Sequence, residues 1–194
     1  SVDSFPDIDD PTHTVNVITC YDNFSKKFHT FGLKPYTGAG RDDLIYVHCD
    51  SERELFIKFL EYLEADYPDI LSGWNSEGFD IPYIIKRCVV NQVPVIRQFH
   101  LHKLKPWETC LIDTKEVWSF GSWGNSARLG HLAEILNIPT PKDEVKGSEV
   151  NAAYWNGRLE EIKDYCEKDI KATANLMLRL SGIPIVQDGE GVPF

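Results

Sequence analysis

Two short stretches hold residues whose types and spacing could do chemistry. In "SGWNSEGFDIPYIIKR", Ser72 to Arg87, Asn75, Phe79 and Asp80 stand just ahead of an apolar helical run. In "DYCEKD", Asp164 to Asp169, Tyr165 and Asp169 are spaced i, i+4. On a helix that spacing puts both side chains on one face. A phenol and a carboxylate stacked this way could hold a water and a metal ion together. Each residue also has a plainer reading. Asp80 before an apolar helix start makes a good N-cap, and Asn75 serves as a turn residue. The run "EEIKDYCEKDIK" reads as a solvated charged face. Taken one at a time, the plainer readings are favoured.

The elements that must position these residues follow from the apolar patterning. "VNVITCY", Val15 to Tyr21, and "KFHTFGL", Lys27 to Leu33, read as an antiparallel hairpin. "LIYVH", Leu44 to His48, is a third strand. Ser51 and Glu54 form a capping box, and Leu55, Phe56, Phe59, Leu60 and Leu63 keep helical spacing up to Pro68. "DILSGW" is a fourth strand, apolar enough to be covered on both faces. A helix over 81–90 follows, and then a fifth strand in "TCLIDT", Thr109 to Thr114. Further helices are expected in "RLGHLAEILN", "SEVNAAYWNG" and "RLEEIKDYCEKDIKATANLMLRLSG". The last of these has Ile162, Cys166, Ile170, Ala174 and Met177 on its apolar side. Residues 1–14 read as a loop and 183–194 as a tail. This order is an α/β plan, a mixed sheet covered by helices. Strands that feed helices leave a crevice at their ends, the usual place for a site.

Composition bounds the function. At 194 residues the chain suits one domain over 1–194, and 42% hydrophobic residues supply a core. A formal net charge of −10 weighs against binding nucleic acid through many phosphate contacts. It is compatible with an enzyme that touches a few phosphates through metal ions. Cys20, Cys49, Cys88, Cys110 and Cys166 are odd in number, widely spaced and free of any C-x-x-C. That speaks for a reducing, cytoplasmic setting, with neither a disulfide framework nor a zinc site. There is no signal peptide and no apolar run near the ~18 residues of a membrane span, so no membrane partner is expected.

Taken together, "GWN-x-x-x-FD-IPYII-x-R" and "DYCEKD" resemble the second and third exonuclease motifs of family-B DNA polymerase proofreading domains. Those domains belong to the DnaQ-like, or DEDDy, 3′–5′ exonucleases. "LIDT" resembles one of the family's sheet strands, and the likeness runs from about Phe5 to Leu180. "KPWETCLIDTKEVWSFG" and "LAEILNIPTPKDEVKGSEV" are more similar to the stand-alone relatives of polymerase B. The resemblance implies a ribonuclease-H-like mixed β-sheet flanked by helices. It implies removal of nucleotides from the 3′ end of single-stranded DNA, with two Mg²⁺ or Mn²⁺ ions in the intact site. Asp80 and Asp169 would be metal ligands, and Tyr165 would orient the attacking water. Phe79 would press on the terminal nucleotide, and Asn75 would shape the loop or touch the strand. Trp74 and Trp123 are weaker stacking candidates, more readily packing residues, and His131 reads as structural.

The family's first motif, Asp-x-Glu on the first strand, has no match. Asp7-Ile8-Asp9 lies in "FPDIDDP", which resembles the loop after that strand, and Pro6 is poor material for a central strand. The first strand is therefore expected upstream of Ser1. The chain itself is expected to be catalytically incomplete and to hold Mg²⁺ or Mn²⁺ weakly. Two alternatives stand beside this reading: the proofreading part of a polymerase, and a non-catalytic nucleic-acid-binding module of the same fold.

Overall fold

In a computed structural model, the described residues are 6–66, 68–100, 104–122, 128–139 and 150–185. β-Branched and aromatic residues build an antiparallel hairpin from Val17–Asp22 (β1) and Lys27–Gly32 (β2), in register from Val17↔Gly32 to Asp22↔Lys27. The Asp22 carboxylate closes its turn by accepting from the N–H groups of Phe24 (2.8 Å) and Ser25 (3.0 Å). Leu44–His48 (β3) runs parallel to β2. The capping box opens Glu52–Asp66 (α1): Ser51 Oγ accepts from Glu54 N–H at 3.2 Å, while the Glu54 carboxylate reaches back to Asp50 N–H at 2.7 Å. The five apolar residues assigned to its inner face are all buried. They share one core with Phe31, with Ile81, Ile84 and Cys88 of Ile81–Val90 (α2), and with Val93, Ile96 and Phe99.

Leu71–Gly73 (β4) and Leu111–Asp113 (β5) form a separate parallel pair. The sheet is thus mixed, as expected, but it comes in two pieces, β1-β2-β3 and β4-β5. Among the described residues β1 and β4 each ladder on one side only. The long helix Leu159–Leu180 (α6) packs against both of them and so bridges the two pieces. Between β5 and α6 come the short helices Thr114–Ser119 (α3), Leu129–Ile135 (α4) and Val150–Trp155 (α5). Trp74 packs in a second small core around Leu132, Ala133, Ile138 and Leu176, which settles its packing role. Trp123 lies outside the described residues.

Several local expectations need correction. The fourth and fifth strands are three residues each, shorter than the apolar runs that suggested them. The polar loop before Asp80 is a π-helical turn, Ser76–Asp80. Helix α3 had no periodic signal, because six residues make less than two turns. The face read as solvated on α6 buries Lys163 and Glu167.

One buried polar network ties the segment ahead of β1 to the helices. Glu52 of α1 accepts from the Arg87 guanidinium through both carboxylate oxygens, and also from Asn91 Nδ2 (2.7 Å) and Val15 N–H (2.7 Å). Arg87 donates to Pro11 O (2.9 Å), Lys86 to Ile8 O (2.7 Å) and Tyr83 to His13 O (2.7 Å). A stretch without regular structure must satisfy its backbone elsewhere, and here three side chains of α2 do so. Asp7-Ile8-Asp9 is accordingly a turn, with Asp9 N–H donating to Asp7 Oδ1 at 2.9 Å.

Removing one member of a buried ion pair leaves the other uncompensated. Arg87→Met is therefore expected to lower the unfolding free energy by about 3–5 kcal/mol. Urea unfolding of the two proteins, compared at constant m-value, measures it.

Candidate active site

The turn that carries Asn75, Phe79 and Asp80 is built from β4 outward. A Cβ at Gly73 would come within 2.6 Å of Ser76 Cβ, so the chain can fold back here only on glycine. Asn75 follows in the left-handed region, φ 58° and ψ 23°, which Asn tolerates better than most residues. Its N–H donates to Asp113 Oδ1 (2.8 Å), and its side-chain oxygen accepts from Lys115 Nζ (2.6 Å). Asp113, at the end of β5, is 3% exposed. Its carboxylate also accepts from the N–H groups of Glu77 (3.0 Å) and Lys115 (3.0 Å). One buried acid therefore holds two residues of the turn and caps α3. Asn75 acts as a loop-shaping residue in this geometry.

The π turn ends where Ile81 N–H donates to Ser76 O, five residues back, and it runs directly into α2. This makes the N-cap reading of Asp80 a correction. Its backbone is already helical, φ −61° and ψ −51°, and its side chain caps nothing. The carboxyl is left over for other work. Phe79 stacks on Tyr83, with ring centroids 5.6 Å apart and planes at 16°. Asp80 is exposed at the rim, yet protein crowds its carboxyl on the inner side. That loss of solvation pushes its pKa up to about 6, and the nearby Asp113 carboxylate adds in the same direction. Glu77 is raised for the same reasons, burial first and then Asp113 and Glu116.

Tyr165 and Asp169 lie on one face of α6, both half-buried. Thr173 Oγ1 donates to Asp169 O at 2.8 Å. Between them in sequence is Cys166, whose thiol is pushed up to about 12, foremost by burial and then by the charges of Asp169, Glu167 and Asp80. β4, which feeds the turn to Asp80, packs against α6, which carries Tyr165 and Asp169, so the two segments meet although they stand far apart in the chain. His131 is on the surface, with Nδ1 3.9 Å from Glu134 Oε2, outside this region.

Hard carboxylate oxygens are the right donors for Mg²⁺ or Mn²⁺, but their number falls short. Among the described residues no group of three or more His, Cys, Asp or Glu could hold a metal ion. Sequence reasoning missed Asp113, Lys115 and Glu77. A signal for Asp113 does stand in the sequence: an Asp at a strand end before "TKE" has the form of an N-cap.

Comparison with known proteins adds an independent line. Residues 17–185 match the model of a family described as predicted 3′–5′ exonuclease related to the exonuclease domain of PolB. The DNA-directed DNA polymerase of Escherichia phage RB69 is 32% identical over 111 residues, 45% of this chain and 12% of that protein. The DNA polymerase of Pyrococcus glycovorans is 28% identical over 153 residues, 69% of this chain and 19% of that protein. That of Red sea bream iridovirus is 26% identical over 159 residues, 72% of this chain and 17% of that protein. The chain spans 12–19% of the length of these relatives.

The Asp80 pKa carries a sign. Its folded value of about 6 lies above the ordinary 3.8, so the folded chain binds this proton more tightly than the unfolded one. The stability it contributes is fully present below pH 3.8 and is lost as pH rises through 6. Asp80→Asn is therefore expected to be progressively more stable than the parent as pH rises across that window. Urea unfolding in a chelator at a series of pH values checks the difference.

Proposed function

The chain belongs to the family of predicted 3′–5′ exonucleases related to the exonuclease domain of PolB, and from that premise we propose that it removes nucleotides from the 3′ end of single-stranded DNA once a strand bearing Asp-x-Glu completes its site. The observation that carries this reading is the side chain of Asp80, which caps no helix end and stands at the head of a turn that follows β4, the strand against which α6, bearing Tyr165 and Asp169, packs. The two carboxylates would serve as metal ligands together with the Asp and Glu of the added strand. The ions would supply the clamp on attacking water and leaving oxygen that phosphodiester hydrolysis requires. Tyr165 would hold the attacking water through its hydroxyl. Phe79, fixed by its stack on Tyr83, would press on the terminal nucleotide, since aromatic faces hold single-stranded bases. Asn75 would keep the turn in shape. The separation of the sheet into β1-β2-β3 and β4-β5, with α6 across both, supports the strand's place between β1 and β4.

A second reading keeps the chemistry and changes the setting. The relatives are DNA polymerases of which this chain matches a small part, which favours a proofreading domain working beside a polymerase. Adding a polymerase to the assay separates the two: a proofreading domain would prefer a mismatched primer end delivered by its partner.

A labelled single-stranded oligonucleotide with Mn²⁺ is the test. The 194-residue chain alone is expected to be nearly inactive. The chain carrying an added N-terminal strand with Asp-x-Glu is expected to shorten the oligonucleotide from its 3′ end. In that protein Asp80→Ala or Asp169→Ala should abolish cleavage, whereas Tyr165→Phe should slow it by about 10²-fold, the scale of a positioned proton-handling group. Robust cleavage by the chain alone, lost on mutating Asp7 or Asp9, would overturn this assignment.

A further inference from the structure

We propose that the buried ion pair of Lys163 and Glu167 on the back of α6, tied to the β2–β3 loop by Arg41 at the surface, is a positioning device that fixes the rotation of the helix and so aims Tyr165 and Asp169 toward Asp80; the proposal rests on the site described above.

Lys163 and Glu167 are 1% and 5% exposed, unusual for charged residues on a helix this rich in charge. Lys163 Nζ lies 2.9 Å from Glu167 Oε1 and 2.6 Å from Asp164 Oδ1. It also faces the Tyr36 ring, 5.7 Å from the centroid. The other Glu167 oxygen accepts from Arg41 Nη1 at 2.8 Å. Arg41 is itself held in a two-pronged pair by Asp43, at 2.9 and 2.7 Å. The Asp43 carbonyl accepts from Phe28 N–H at 2.7 Å. An unbroken set of bonds therefore runs from the first residues of β2 through the β2–β3 loop to α6. Lys171, over the Phe28 ring at 5.7 Å, continues the same helical row.

Helix geometry places this row opposite the site. At about 100° per residue, Tyr165 is about 200° round from Lys163, and Asp169 stands in the same relation to Glu167. The clamp thus holds one side of α6 while the other side carries the chemistry. Apolar contacts are non-directional and would let the helix turn a little about its axis. Charge-assisted hydrogen bonds in fixed geometry would not. Stability alone is a weak reason to bury such a pair, because apolar residues of similar volume often stabilise as well or better. That difference makes the role separable by experiment.

The first readout needs no catalysis. Cys166 is half-buried, and the rate of its peptide-mapped alkylation in the 194-residue chain reports how freely α6 shifts to uncover the thiol further. Glu167→Gln is expected to lower Tm and speed Cys166 labelling. The paired change Lys163→Met with Glu167→Leu is expected to recover Tm while Cys166 still labels about tenfold faster than in the parent. Recovery of Tm with labelling at the parent rate would overturn the proposal. If the paired variant fails to recover Tm, Arg41→Gln decides, since it leaves the buried pair intact. Faster labelling with Tm within about 2 °C supports the clamp, and unchanged labelling overturns it. In the strand-completed protein the paired change should lower kcat by about 10- to 100-fold with KM unchanged, whereas a merely stabilising role leaves kcat intact well below Tm. Absence of any nuclease activity would defeat the functional assignment, yet the alkylation result would still decide the clamp.

Discussion

The buried carboxylate of Asp113 is the interaction on which the candidate site depends. It takes N–H groups from Asn75, Glu77 and Lys115, and no two of these bonds serve the same purpose. One holds a left-handed residue in place, one holds the first half of the π turn, and one starts α3. A buried acceptor left without its donors costs heavily, so the three segments are obliged to meet. The π turn then has one direction in which to run, and Asp80 arrives at the head of α2 with a carboxyl that no helix end has claimed. The acid that does the holding is fully engaged, and the acid that it places is not.

The second constraint is α6. It lies across two sheet pieces that share no ladder, and it carries a charged clamp on one side and Tyr165 with Asp169 on the other. The contact of β4 with α6 sets the segment that leads into the π turn against this helix. Carboxylates gathered without a cation raise one another's proton affinity, and Asp80 shows that direction through burial and Asp113. No helix among the described residues is long and apolar enough to cross a membrane.

Much of the fold was legible because apolar period and punctuation agreed. The face of α1 read as Leu55, Phe56, Phe59, Leu60 and Leu63 is the buried face, and α2 spans Ile81–Val90 as its pattern required. The hairpin formed where β-branched runs met the turn at Asp22. What escaped reading depended on contacts distant in sequence. The π turn at 76–80 exists because Asp113 and a neighbouring glycine shape it, and no local periodicity announces that. Charges at 163 and 167 looked solvated because their partner, Arg41, comes from a distant loop. The motif residues Asn75, Phe79, Asp80, Tyr165 and Asp169 are singled out by resemblance alone, and only the structure shows that Asp80 does not cap its helix. The likeness to family-B polymerase exonucleases is borne out by the family match.

The central claim is that Asp80 and Asp169 are two ligands of one two-metal site that an added strand completes between β1 and β4. A crystal structure of the strand-completed protein with Mn²⁺, read by anomalous scattering, tests it most directly. The account predicts two Mn²⁺ peaks about 3.5–4 Å apart, with carboxylate oxygens of both Asp80 and Asp169 in their coordination shells. Peaks elsewhere on the surface, or carboxylates of Asp80 and Asp169 more than about 15 Å apart and sharing no ion, would contradict it.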